Sequence, residues 1–182
     1  MAGFPAKVGS AMAARTRVHG HETKHVRIPK NYCFVCGKDN PEGMHLKFFF
    51  DKRKKHFISR FRLDGRFVGP PAHSHGGIIA TVLDEAMGKV NKLRSVIALT
   101  RVMEIHYLKP VPLQKPLIVE SREKRVHGRR HINVAEIRNL KGEVLARGEA
   151  TFVKIDPVRM FARFVGERGA IAPFLRRERG TR

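Results

Sequence analysis

Two features of the chain have the residue types and spacing to act on a carbonyl. Asp84 interrupts a run whose preceding eight residues, Gly76 to Leu83, carry no charge. An ionised carboxylate buried without a partner costs several kcal/mol, so Asp84 must be paired, open to a cavity, or working as a general base. The competing explanation is a helix that has reached solvent by residue 84, with Glu85 and Lys89 continuing its polar face. At the head of the same run stands His75-Gly76-Gly77. If a helix starts there, it presents free amides and the positive end of its dipole, and glycines allow a carbonyl close enough for those amides to stabilise an oxyanion. The competing explanation is packing glycines behind a capping histidine. Eight residues of helix span roughly 12 Å, so one reacting carbonyl cannot touch both Gly76 and Asp84. Joint action on one bond requires the Asp to come from a second, antiparallel copy of the helix, which means a homodimer with two equivalent sites.

The elements that must position these groups follow from periodicity. Residues 1–30 show none and are expected to form a basic flexible arm. His45–Phe50 and His56–Leu63 are strand candidates joined by the polar turn Asp51–Lys55. Gly65, Gly69, Pro70 and Pro71 then break regular structure, and the apolar run from His75 to about Asn91 is too long for a buried strand and predicts a wrapped helix. Strands are expected at Leu99–Leu108, Leu117–Lys124, His131–Asn139 and Val144–Lys154, with turns at Pro110, Pro112 and Pro116, at His127 and Gly128, and at Lys141 and Gly142. In the last strand Ala146, Gly148 and Ala150 share one face, a surface on which a helix can lie close. The order is α+β: a curved antiparallel sheet around one central helix, over residues 31–156. Residues 157–182 read as a short amphipathic helix (Met160, Phe161, Phe164, Val165) and a basic tail.

Composition agrees with one such domain. In 182 residues, 42% apolar and 29% charged, a core can form without staples, which excludes disorder throughout, collagen-like repeats and disulfide scaffolds. The longest apolar run falls far short of the roughly 18 to 20 residues of a membrane span, so a soluble protein is expected. The formal charge is +21, distributed as +5 over residues 1–31, +12 over 32–155 and +4 over 156–182. An anionic partner is therefore expected, and the densest clusters, Lys52 to Lys55 and Arg122, Lys124, Arg125, Arg129, Arg130, are assigned to turns between strands. Cys33 and Cys36 are the only cysteines. With no signal peptide, they place the protein in a reducing compartment, the cytoplasm, or an organelle if the basic opening segment is a transit peptide. Cys-x-x-Cys is half of a tetrahedral zinc site. His21 and His25 or a second subunit are the candidates for the other half, a redox pair is the other alternative, and two structural thiols are the default.

The string from His75 to Gly88 (HGGIIATVLDEAMG), followed by Thr100 to Leu113 (TRVMEIHYLKPVPL) and Gly142 to Ala150 (GEVLARGEA), resembles the PaaI-type hotdog-fold acyl-CoA thioesterases. Cys33-Phe34-Val35-Cys36-Gly37 with Asn40-Pro41-Glu42-Gly43 resembles the leading segment of one branch of that superfamily, so the likeness covers residues 32–155. It implies that Gly76 or Gly77 polarises the thioester carbonyl, that His75 shapes that end of the pocket, and that Asp84 of the other subunit is the general base for water or, as the lesser alternative, the nucleophile. Thr100 matches a Ser or Thr that orients the attacking water in related enzymes. One departure stands out: some members carry Asn six residues before the histidine, where this chain has Gly69, with His73 and Ser74 the nearby polar residues. A CoA thioester brings roughly three to four negative charges. Lys52, Arg53, Lys54, Lys55, Arg129 and Arg130 are the candidates to meet them.

The expectation is thus a homodimeric, or homotetrameric, acyl-CoA thioesterase with no cofactor and no metal in its chemistry. Alternatives are a hotdog protein that binds acyl-CoA without hydrolysing it, a dehydratase or hydratase, and a basic nucleic-acid-binding protein. The dehydratases use a differently placed His and Asp pair, and no base-stacking aromatic motif supports nucleic acid.

Overall fold

Asp51 closes the first turn: its carboxylate accepts the amides of Arg53 and Lys54 at 2.9 and 3.2 Å. This sets β1 (Phe49–Asp51) antiparallel to β2 (His56–Phe61). The structure, a computed structural model, describes residues 31–161, so the basic arm, His21, His25, Phe164, Val165 and the basic tail lie outside the described residues. The first strand is shorter than the expected His45–Phe50. Met44 and Leu46 instead donate their amides to Phe34 and Val35 carbonyls at 2.7 and 2.8 Å, and His45 between them takes φ 53°.

Helix α1 (Gly76–Val90) buries Ile79, Val82, Leu83, Ala86, Met87 and Val90. Their i, i+3, i+4, i+7 spacing makes one stripe, and each large side chain on it contributes roughly 1.5–3 kcal/mol of burial. After α1 come β3 (Ala98–Tyr107), β4 (Leu117–His127), β5 (Arg130–Asn139) and β6 (Val144–Lys154), and then a short helix α2 (Pro157–Phe161). The six strands form one antiparallel sheet in the order β1-β2-β4-β5-β6-β3.

The stripe of α1 packs on Val119, Ala135, Ile137, Ala146, Ala150 and Phe152. As expected of the small-residue face, a Cβ at Gly148 would stand 3.3 Å from Met87 Cε, so the helix lies where only a small residue leaves room. Two polar contacts fix the far end of α1. Ser121 Oγ donates to the Ala86 carbonyl at 2.6 Å, and Asn133 Nδ2 donates to the Met87 carbonyl at 2.9 Å and to Asn91 Oδ1 at 3.0 Å. They tie the C-terminal end of α1 to β4 and β5.

One assignment is corrected. The strand expected to end at Lys124 runs on to His127 opposite Arg130, so Arg122, Lys124 and Arg125 all lie in β4, Arg130 opens β5, and Arg129 alone of that cluster is in the turn. The other sheet edge, β3, is ten residues long and leaves Leu99, Val102 and Tyr107 exposed, with Leu108 just beyond.

Candidate active site

The start of α1 is held from both sides. Ser74 N–H donates to the Val111 carbonyl at 2.8 Å and His75 N–H to the Phe67 carbonyl at 2.9 Å. His75 is the N-cap, in extended conformation, and its Nδ1 accepts the Gly77 amide at 3.0 Å. The amides of Ile78 and Ile79 both turn to the His75 carbonyl, at 3.0 and 3.2 Å. Among the described residues this leaves the Gly76 N–H as the unpartnered amide at the helix start. Of the two glycine amides, Gly77 is thus engaged by the His75 cap and Gly76 is open. The Tyr107 hydroxyl donates to the Gly76 carbonyl at 3.2 Å, and its ring lies 3.6 Å from where a Gly76 Cβ would be. Tyr107 had no signal of its own in the sequence, since a β3 residue 31 positions away meets Gly76 only in the fold.

Gly69, the departure from the family pattern, is explained by crowding. A Cβ there would come within 2.7 Å of His75 Cα, so no side chain fits. Of the polar neighbours, His73 Nδ1 bonds the Pro71 carbonyl at 2.8 Å, and Ser74 is buried with its hydroxyl on the His75 carbonyl.

Asp84 is half-buried and points away from the core stripe of its own helix. Thr100, the third residue of β3, donates its hydroxyl to Asp84 Oδ1 at 2.7 Å. The carboxylate is therefore held in place, and Oδ2 and the lone pairs of Thr100 Oγ1 remain as acceptors. A water donating one hydrogen to each would be fixed with a lone pair free for attack.

A sheet curled around one central helix is an arrangement that known proteins share. The thioesterase superfamily model matches residues 72–146. Those residues thus resemble the thioesterase superfamily, and the fold built around them is a hotdog. Acyl-coenzyme A thioesterase THEM4 of Mus musculus is 30% identical over 135 residues, covering 74% of this chain and 58% of that protein. The chain thus spans little more than half the length of this curated relative. Among solved structures, a thioesterase superfamily protein superposes with a TM-score of 0.64 at 27% identity, over 68% of this chain and 60% of that one. A Bacillus halodurans protein solved with CoA gives 0.54 at 25% identity, over 60% and 74%.

Within the hotdog domain the basic candidates lie away from Gly76. Lys52 to Lys55 form the β1–β2 turn beside the start of β2, which pairs with Ser121 at the level of Ala86. Arg129 and Arg130 lie beyond Asn133, at the C-terminal end of α1. In one chain neither cluster meets the helix N-terminus. Lys54 Nζ is 3.6 Å from Glu120, and the Arg129 guanidinium donates to the Lys154 carbonyl at 2.9 and 3.2 Å, while Arg130 is exposed.

One part of the hotdog domain was not read from the sequence. Glu85 and Lys89, which looked like the polar face of an emerging helix, have side chains only 19% and 14% exposed and turn toward Cys33 and Cys36. Burial pushes the Cys36 thiol up to about 12, Glu85 adding to the effect and Lys89 opposing it. Burial works against the Glu85 carboxylate too, but hydrogen bonds from Cys36 and Lys89 and the Lys89 charge outweigh it and hold its pKa below the usual range. The i, i+4 spacing of Glu85 and Lys89 was the available signal.

Proposed function

We propose that the domain hydrolyses acyl-CoA thioesters to a free acid and coenzyme A, as a homodimer whose site is shared between subunits. The Gly76 amide of one subunit polarises the thioester carbonyl. Asp84 of the partner subunit takes a proton from water as the water oxygen attacks the carbonyl carbon. The tetrahedral intermediate collapses, the C–S bond breaks, and the CoA sulfur leaves as thiolate or takes the proton back from Asp84. Thr100 holds the carboxylate and accepts one hydrogen of the same water. Antiparallel pairing of the two helices would also bring the partner's basic clusters, Lys52 to Lys55 with Arg129 and Arg130, to the end where the CoA phosphates enter.

The observation that carries this reading is the Asp84–Thr100 pair, a carboxylate fixed on the side of α1 that its own core does not use. The exposed apolar edge of β3 supports the dimer, because a long bare edge strand is a liability unless another chain covers it. Both described cysteines are free thiols, in keeping with a reducing compartment such as the cytoplasm. Among the described residues no helix is long and apolar enough to cross a membrane.

The test is thiol release from short, long and aryl acyl-CoA esters by wild type and Asp84→Asn. Turnover by wild type, reduced about 100-fold or more in the variant, supports the proposal. Equal turnover by both proteins would remove Asp84 from the chemistry. Tight acyl-CoA binding with no turnover by either would make the protein a binder.

A further inference from the structure

Cys33 and Cys36 stand on a built turn. The Gly37 amide donates to the Cys33 carbonyl at 2.8 Å, and a Cβ at Gly37 would lie 2.4 Å from backbone atoms of Asn31 and Cys33, so only glycine lets the turn close. The residues after it are fastened as well. The Asn40 carboxamide accepts the Glu42 amide at 3.1 Å and donates to the Tyr32 carbonyl at 3.3 Å, while Val35 and Leu46 are buried in the core. Both thiols are thus presented by a folded segment docked on α1.

Opposite the turn, α1 presents Glu85. One ligand atom each from Cys33, Cys36 and Glu85 lies within 4.8 Å of the others. Tetrahedral zinc with donors at about 2.0–2.3 Å needs neighbouring donors roughly 3.3–3.8 Å apart, a closure of about 1 Å that side-chain rotation supplies. The donor set is selective as well as close. Two sulfurs with one carboxylate oxygen suit zinc and are a poor match for magnesium or calcium. Lys89 Nζ, 2.9 Å from Cys36 Sγ and 2.5 Å from Glu85 Oε1, is placed to donate to the bound ligands.

We infer that Cys33, Cys36 and Glu85 bind one zinc ion, with water as fourth ligand and Lys89 donating a hydrogen bond to the Cys36 sulfur. Binding replaces the two thiol protons, which leave to solvent. Two thiolates and a carboxylate against Zn²⁺ and the Lys89 ammonium then sum to zero charge, which suits a cluster with Cys33 exposed and Cys36 and Glu85 partly buried. The ion clamps the leading segment to α1 next to Asp84 without entering the acyl chemistry. Neither His21 nor His25 is needed, and the inference does not depend on the thioesterase reading.

The test uses the full chain, untagged and reduced, stripped with a chelator and titrated with Co²⁺ and then Zn²⁺. Expected are one equivalent of Co²⁺ per chain with thiolate-to-cobalt charge-transfer absorption, full displacement by Zn²⁺, and a higher melting temperature with metal. Cys33→Ser and Cys36→Ser should each weaken Zn²⁺ binding by more than about 100-fold, and Lys89→Met by about 10- to 100-fold as loss of an outer hydrogen bond does. Absence of the charge-transfer band in wild type, which needs no variant, would overturn the site. So would unchanged Zn²⁺ affinity in Glu85→Gln, or a loss of affinity in His21→Ala or His25→Ala equal to that in Cys33→Ser.

Discussion

Thr100 Oγ1 donates a 2.7 Å hydrogen bond to Asp84 Oδ1, joining the third residue of an edge strand to the middle of the central helix. A hydrogen bond to a charged group is worth roughly 1.5–3 kcal/mol. If the pair positions water in the transition state, Thr100→Val lowers kcat by about 10- to 100-fold, while Thr100→Ser stays close to wild type. Steady-state thiol release checks both. Equal losses in the Val and Ser variants would mean that the hydroxyl alone is not what the site requires.

The His75 cap makes a separate prediction about stability. Its Nδ1 accepts the Gly77 amide, so His75→Ala leaves that donor unsatisfied and should cost about 0.5–2 kcal/mol. His75→Asn keeps a capping oxygen and should recover most of the loss. Urea unfolding of the three proteins decides it, and an alanine variant as stable as wild type would show that the cap contributes nothing.

Much of this arrangement was legible in the sequence, and the reason is local. The central helix and the later strands announce themselves by period, and Ala146, Gly148 and Ala150 announce the helix-facing side of β6. What escaped depends on contacts between distant residues. The segment from His45 looks like strand, but Met44 and Leu46 spend their amides on Phe34 and Val35. Glu85 and Lys89 look solvent-bound until the Cys33 turn, some fifty positions earlier, is brought against them. The strand reads as ending at Lys124 because the charges around it mark a turn, yet β4 continues to His127 and Lys124 faces Glu149 across the sheet in an exposed ion pair. Gly76 was found as one of a pair, and only the His75 ring bond to Gly77 separates the two glycines.

Acid should destabilise the fold through His131. The ring is buried, and its Nδ1 has no hydrogen-bond partner among the described residues. Burial lowers its pKa, Glu123 opposes this, and Arg94 and Lys154 add to it. The folded state thus disfavours the proton that the unfolded chain takes up below the ordinary 6.5. The cost is absent above that pH and grows as pH falls below it, by at most about 1.4 kcal/mol per pH unit for one proton. Urea midpoints between pH 7.5 and 5 should fall for wild type and flatten for His131→Phe. A slope unchanged in that variant would assign the acid sensitivity to other groups.

The shared site makes the most discriminating prediction, because it concerns which chain supplies which residue. Gly76→Val covers the free amide, and Asp84→Asn removes the base, so each homodimer should be nearly inactive. In a mixed dimer one site carries both lesions and the other carries neither. Random reassociation of equal amounts makes half of the dimers mixed, each with one intact site of two, and activity should return to about a quarter of the wild-type level. Recovery requires the carbonyl-binding amide and the base to come from different chains. If both came from one chain, every site in the mixture would carry a lesion and nothing would be regained. Repeating the mixing with Val102→Lys on β3 tests the interface itself: Val102 is 61% exposed in the single chain, and a lysine there should leave monomers by sedimentation and abolish the recovery.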